Sequence, residues 1–457
     1  MLWTVRPPSL TLRVWTLPCR ASPRSFSLSP HRRLPPTLAE GTPKPPVFRE
    51  EVLKAKKLPS FSDAVRNVPV RKQIWFVVAG TVGALVVGAH LTNYELFKWW
   101  THIAATPNLR KNRPPTSEEL ARVKYYVFGR RLQAGLASLK SSMEQLPETV
   151  KAVVTWSYVQ VFQPILNASE GKRMCWAIGA VNLAVWAAWR VPRWNAFMIR
   201  SFTHNALSGR SYTLLTNVFS HENIFHLAFN CMALASFGAA ACQQLIIRYR
   251  KVEEQRGVLS EPSPKWHLLA LFVSAGLFSS LVSHVAYARW QYPRLIARLK
   301  TASSPSVVRA GSSAASSSAG PASGAAAEAV EGAVAATANA AHPGQHSLGS
   351  SGAIYAMIAI TTLGFPDSEI TLVIPPWFPI NIQSGFAAIV ALDVVGVLRG
   401  WRLFDHYAHL GGAAFGVFWY KYGAQIWYTI REWDLPVAFF FHGGALKKAG
   451  GSPPAAA

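Results

Sequence analysis

The chain has 457 residues, half of them hydrophobic, with 17 Trp and only 15% charged residues. That balance excludes an ordinary soluble enzyme, in which charged residues make up about a quarter. The formal net charge of +24 invites a nucleic-acid reading, but Lys and Arg crowd the N-terminal region and the loops rather than one helix face, which suits orientation in a membrane and argues against a nucleic-acid partner.

The first 39 residues hold six Arg and five Ser, with no acid before Glu40. This predicts a mitochondrial transit peptide over 1–39 rather than a secretory signal, which needs a continuous apolar stretch. Residues 40–72 are basic and contain prolines, and read as a solvated tail on the matrix side. From Gln73 to Tyr94 there is no Asp, Glu, Lys or Arg, a run close to the ~20 residues that cross a bilayer core. Within it Gly80, Ala84 and Gly88 repeat every four residues, a small-residue stripe on which another helix can pack closely. Residues 95–172 form a charged connecting segment, with Thr116-Ser117-Glu118-Glu119 marking a helix start and an amphipathic stretch to Lys140.

Six further apolar runs follow: Met174–Trp189, Ile224–Ile247, Trp266–Ala288, Ser350–Phe365, Ile382–Leu398 and His406–Tyr420. The expected fold is therefore all-α and polytopic, a six-helix core over 173–423 preceded by one extra span, with a tail over 424–457. Residues 301–347 are almost entirely Ala, Ser and Gly, too poor in apolar surface to offset the entropy of ordering, and read as a low-complexity insertion. Cys19, Cys175, Cys231 and Cys242 show no paired spacing, so neither a disulfide framework nor a zinc site is expected.

Three polar constellations interrupt the apolar runs, and polar groups in a span mark functional sites unless paired. Ser220-His221-Glu222-Asn223-Ile224-Phe225-His226 opens the second core span, with Asn230 four residues beyond His226 on the same helix face. A zinc protease would need its second histidine at Phe225, and five-residue spacing turns His221 and His226 about 140° apart. Gly349-Ser350-Ser351-Gly352 opens the fourth. The nucleophile elbow of soluble hydrolases would need Gly where Ala353 stands; small residues here let a substrate backbone approach, and helix-start amides face any anion that forms. Asp405-His406-Tyr407-Ala408-His409-Leu410-Gly411-Gly412 opens the sixth, and His409, Gly412 and Gly416 share one stripe. Helices of alternating direction bring the starts of spans two, four and six to one membrane face. A base within reach of Ser351 is then sterically reasonable.

In order, these read His-x-x-x-x-His-x-x-x-Asn, Gly-x-Ser-Gly-Ala-x-Tyr and Ala-His-x-Gly-Gly-x-x-x-Gly, and the chain resembles the rhomboid intramembrane serine proteases over roughly 173–423. The wording Asp-His-Tyr-Ala-His-Leu-Gly-Gly and the extra leading span resemble the mitochondrial inner-membrane branch, the presenilin-associated rhomboid-like group. The resemblance implies Ser351 as nucleophile and His409 as base, a dyad that calls for no acid. It implies Tyr355 packed on His409, His226 and Asn230 stabilising the oxyanion with the Ser351 amide, and His221 as a structural histidine. Gly349, Gly352, Gly412 and Gly416 support the site, and no cofactor or metal is expected. The partners it implies are transmembrane protein substrates within a lipid bilayer. The chain departs from many members in carrying Tyr212-Thr213 where they have Trp-Arg.

Counting spans from a matrix tail puts the even helix starts on the matrix side and the C terminus in the intermembrane space. Arg190, Arg193, Arg200 and Arg210, against Asp367 and Glu369 across the membrane, agree with that orientation. Two other readings stand beside proteolysis: a non-proteolytic protein of the same fold that binds membrane helices, and a transporter. The first would usually lack Ser351 or His409; the second would spread polar positions through the bundle.

Overall fold

The computed structural model describes residues 67–106, 113–221, 223–257, 259–302, 348–371, 378–401, 404–442 and 444. The expected transit peptide, most of the expected matrix tail, residues 303–347 of the insertion and the last residues of the expected C-terminal tail lie outside them. What is described falls within the unit Phe61–Ala457 and is almost wholly helical.

In chain order the helices are α1 (Arg71–Ala105), α2 (Ser117–Ser142), α3 (Glu148–Asn167), α4 (Glu170–Ala188), α5 (Asn195–Phe202), α6 (Thr213–Thr216), α7 (Ile224–Ala233), α8 (Ala239–Arg256), α9 (Lys265–Ala286), α10 (Tyr292–Ala302), α11 (Ser351–Gly364), α12 (Ile382–Arg399) and α13 (His406–His442). A π-helical turn joins α7 to α8 and another joins α9 to α10. The β-structure among the described residues is a short antiparallel pair between α11 and α12, Glu369–Thr371 with Pro379–Asn381, in which Ile370 faces Ile380.

Each of the seven expected spans coincides with a helix, but length and composition alone pass only four: Arg71–Ala105, Ile224–Arg256, Lys265–Arg298 and Ile382–Arg399. A fifth candidate is the pair Glu170–Ala188 and Pro192–Phe202, bent by 97°. The two remaining helices, α11 and α13, differ from the expected spans in length. Helix α11 has 14 residues, about 21 Å of helix against a ~30 Å hydrocarbon core. It is walled in by α8, α9, α12 and α13, and Gly352 to Thr362 are buried except Tyr355. A helix apolar all round belongs at such a centre. Helix α13 does not stop at Tyr420: it continues through Lys421, Arg431, Glu432 and Asp434 to His442, so the first half of the expected C-terminal tail is helix.

The extra helix α1 lies along α9 and α13. Its small-residue stripe is the contact face: Gly80 abuts Leu277, and Gly88 abuts Trp427 and Ala270. The charged connection is two helices. α2 starts where expected, with Thr116 Oγ1 accepting from the Glu119 amide at 3.3 Å and the Thr116 amide donating to Glu119 Oε2 at 3.0 Å, a capping box that satisfies two amides.

The end of the bundle remote from Ser351 is fastened by polar bonds. Arg431, 3% exposed, donates to Asn93 Oδ1 at 3.0 Å, to the Tyr249 hydroxyl and to the Ser260 carbonyl. Asn93 Nδ2 donates in turn to the Arg431 carbonyl and Asp434. Lys124 of α2 reaches both Glu95 and Glu170 at 2.6 Å, and so ties α1, α2 and α4 together.

Candidate active site

Three helix starts meet at the other end. Asn223 caps α7, its Oδ1 accepting from the His226 amide at 2.8 Å. Asp405 precedes α13, with Oδ1 accepting from the Ala408 amide at 3.1 Å and Oδ2 from Ser283 Oγ at 2.7 Å. Between them lies the turn into α11. There Gly349 takes φ +117° and its amide donates to the Asn217 carbonyl at 3.0 Å. A Cβ at Gly349 would stand 2.9 Å from His226 Cε1, so both backbone conformation and space require glycine.

Ser351, the first residue of α11, is half-buried, and its Oγ lies 2.8 Å from His409 Nε2. His409 Nδ1 lies 3.1 Å from Asp393 Oδ1 on α12, and the same oxygen is 2.6 Å from His406 Nδ1. Asp393 is 2% exposed and His409 8%. A carboxylate can only accept, so both imidazoles present Nδ1–H to it, and His409 Nε2 is left with the lone pair that accepts the Ser351 hydroxyl proton. That is the tautomer a general base needs. Tyr355, one turn along α11, stacks on the His409 ring with centroids 4.4 Å apart and planes 11° apart.

The resemblance implies a dyad for which no acid need be found; the structure in addition places Asp393 Oδ1 behind His409. The signal was present in the sequence, since Asp393 is the one acid in the otherwise apolar run Ile382–Leu398, and an ionisable residue inside a span calls for a partner.

Ser350 is a second site residue that the motifs do not single out. It occupies the N-cap position of α11, yet its side chain makes no capping bond. Its Oγ instead donates to Asn230 Oδ1 at 3.2 Å and lies 3.3 Å from His221 Nε2. This ties His221, 2% exposed, and Asn230 to the turn that carries Ser351. Asn230 Nδ2 spends one hydrogen on the His226 carbonyl at 2.9 Å; an amide nitrogen has two, so one remains to donate. His226 and His221 have ring centroids 5.1 Å apart.

The glycines sit where α11 meets its neighbours. Gly352 faces Ser279 of α9 and the Ala408 carbonyl. Gly412 and Gly416 meet the carbonyls of Gly352 and Ala356 so closely that a Cβ at either would overlap backbone. Asp393, His406 and His409 offer ligand atoms within 4.8 Å of one another, and among the described residues this is the group whose donors could hold a metal ion. Their hydrogens are already committed between themselves and Ser351.

Fold and site together define a polytopic helical membrane protein with a Ser, a His and an Asp in hydrogen-bonded series at one end of the bundle. The rhomboid domain model matches residues 208–425. The presenilin-associated rhomboid-like proteins, mitochondrial, of Homo sapiens and Bos taurus are each 29% identical over 287 residues, 63% of this chain and 58% of theirs. The mitochondrial rhomboid protein 1 of Saccharomyces cerevisiae is 24% identical over 252 residues, 54% of this chain and 53% of its own. The chain thus spans under three fifths of the length of these relatives. No solved structure matches it. Over residues 208–425 the chain is thus similar to the rhomboid domain, and the relatives it matches are mitochondrial rhomboid or rhomboid-like proteins.

Proposed function

We propose that the protein is an intramembrane serine endopeptidase of the mitochondrial inner membrane, which cleaves single-span membrane proteins in or near their membrane segment. The observation that carries this reading is the 2.8 Å contact of Ser351 Oγ with His409 Nε2, with Asp393 behind the imidazole. In this mechanism Ser351 Oγ attacks the scissile carbonyl as its proton passes to His409 Nε2. The negative charge on the former carbonyl oxygen is met by the Ser351 amide at the start of α11, by the remaining Asn230 N–H and by His226; one such donor is typically worth about 10²–10³ in rate. The imidazolium is stabilised by Asp393 and returns the proton to the leaving amine. His409 then takes a proton from water as it attacks the acyl-enzyme, and returns that proton to Ser351 Oγ as the acyl bond breaks.

A helical substrate hides its backbone in its own hydrogen bonds, so substrates with Gly or Pro near the cut suit the site best. The orientation proposed is N terminus in the matrix and C terminus in the intermembrane space, so that Ser351 opens toward the matrix. In mitoplasts a C-terminal tag should then be digested by added protease; a protected tag contradicts this topology. For the activity itself, the purified protein in vesicles should cleave a single-span substrate, and Ser351→Ala should not. Cleavage that survives the substitution overturns the mechanism.

A further inference from the structure

At the end of the bundle remote from Ser351 a cleft of about 470 Å³ opens between α1, α2, α4 and the start of α9. Its place along the bundle follows from α9: Ser279 abuts Gly352, and Lys265 is 14 residues earlier, about 21 Å along the helix. The cleft is lined by five cations and two carboxylates. Glu95 and Glu170 are committed to Lys124 and Lys265, at 2.6 to 2.8 Å. Arg173 lies over the Phe128 ring at 5.0 Å and touches Glu170 only at 3.8 Å. Lys98 on α1 and Arg131 on α2 are exposed and make no ion pair or hydrogen bond among the described residues. Lys98 and Arg131 therefore face one opening with no ion-pair partner among the described residues, beside Arg173, whose pairing to Glu170 is long at 3.8 Å.

Below the cations the lining is apolar, and it continues toward the middle of the bundle. On α1, Lys98, Tyr94, Leu91 and Val87 fall on one face, and Val87 is 58% exposed. On α4, Met174, Ala177 and Val181 do the same, and Val181 is 49% exposed. Both helices pack on α9, so the two exposed apolar stripes lead away from the cleft beside that helix. A free anion would need the cations alone. A charged pocket that leads onto apolar stripes at the level of a membrane interface fits a molecule with an anionic head and hydrocarbon tails.

The geometry points to this cleft as a binding site for an anionic glycerophospholipid, its phosphate held by Lys98, Arg131 and Arg173 and its acyl chains lying along the apolar stripes of α1 and α4. The lipid bridges the extra helix and the core. Its test is native mass spectrometry of the purified full-length chain, titrated with phosphatidylglycerol, phosphatidylcholine and inorganic phosphate. Phosphatidylglycerol should be retained in preference to phosphatidylcholine, with inorganic phosphate unable to displace it. The double variant Lys98→Gln/Arg131→Gln should bind it about 10- to 30-fold more weakly, and Lys98→Arg/Arg131→Lys should keep it. Arg122→Gln/Arg130→Gln removes the same charge from α2 outside the cleft, and should have no effect. Undiminished binding by the first variant, an equal loss in the last, or displacement by phosphate alone would overturn the assignment.

Discussion

One oxygen of Asp393 accepts hydrogens from two imidazoles, at 2.6 and 3.1 Å, in a part of α12 otherwise made of Ala, Leu, Val and Gly. A carboxylate in that setting is costly unless it is fully used. In the proposed mechanism its use is to fix the tautomer of His409 and to face the imidazolium when it forms. Asp393→Asn keeps the shape but can hand His409 an N–H, which favours the wrong tautomer. We expect kcat to fall by about 10²–10⁴ with KM little changed; steady-state cleavage of a single-span substrate checks it, and a kcat within twofold of the parent would contradict the role. Ser351 and His409 were legible as motifs because their glycine neighbours set them apart. Asp393 and Ser350 belong to no such motif: the first shows only as a lone acid on an apolar helix, the second as a serine that looks like a cap. Their meaning lies in partners 16 and 120 residues away.

At the scale of elements, the site depends on how near α13 approaches α11. Gly412 and Gly416 let the helices meet backbone to backbone, the Gly352 and Ala356 carbonyls filling the space a side chain would need. Without them His409 would stand off from Ser351. Gly416→Val should force the helices apart, with a cost of about 1–3 kcal/mol or more for overpacking and loss of cleavage out of proportion to it. Thermal unfolding in detergent measures the first and the cleavage assay the second; unchanged values of both would contradict the close crossing. The stripe was readable from spacing, because small residues four apart fall on one face whatever they pack against. The true length of α13 was not readable. Its charged second half looks like solvated tail until Asn93, Tyr249 and Ser260 are seen around Arg431.

Across the whole molecule, the extra helix is held to the core at the end remote from the site by groups that would be expensive to separate. Removing one partner from a buried charged network typically costs about 3–5 kcal/mol, and Arg431 joins α1, α8 and the loop after it. That loop, between α8 and α9 and outside the spans, carries Glu261. Burial pushes the Glu261 carboxyl up from 4.5 to about 7, against the pull of Arg431 and the bond from Trp427 Nε1 at 3.1 Å. The folded chain thus holds this proton more tightly than the unfolded one. Its contribution to stability is full below about pH 4.5 and is lost as pH rises to about 7. Glu261→Gln, which still accepts from Trp427, should flatten the fall in Tm between pH 5 and pH 8; an unchanged slope would contradict this origin. The central claim, that His409 activates Ser351, is tested most directly by mass spectrometry of the purified protein after reaction with a serine-directed fluorophosphonate. A single adduct on Ser351, absent in His409→Ala, is expected; an adduct on Ser350, or one on Ser351 that forms equally well without His409, would contradict it.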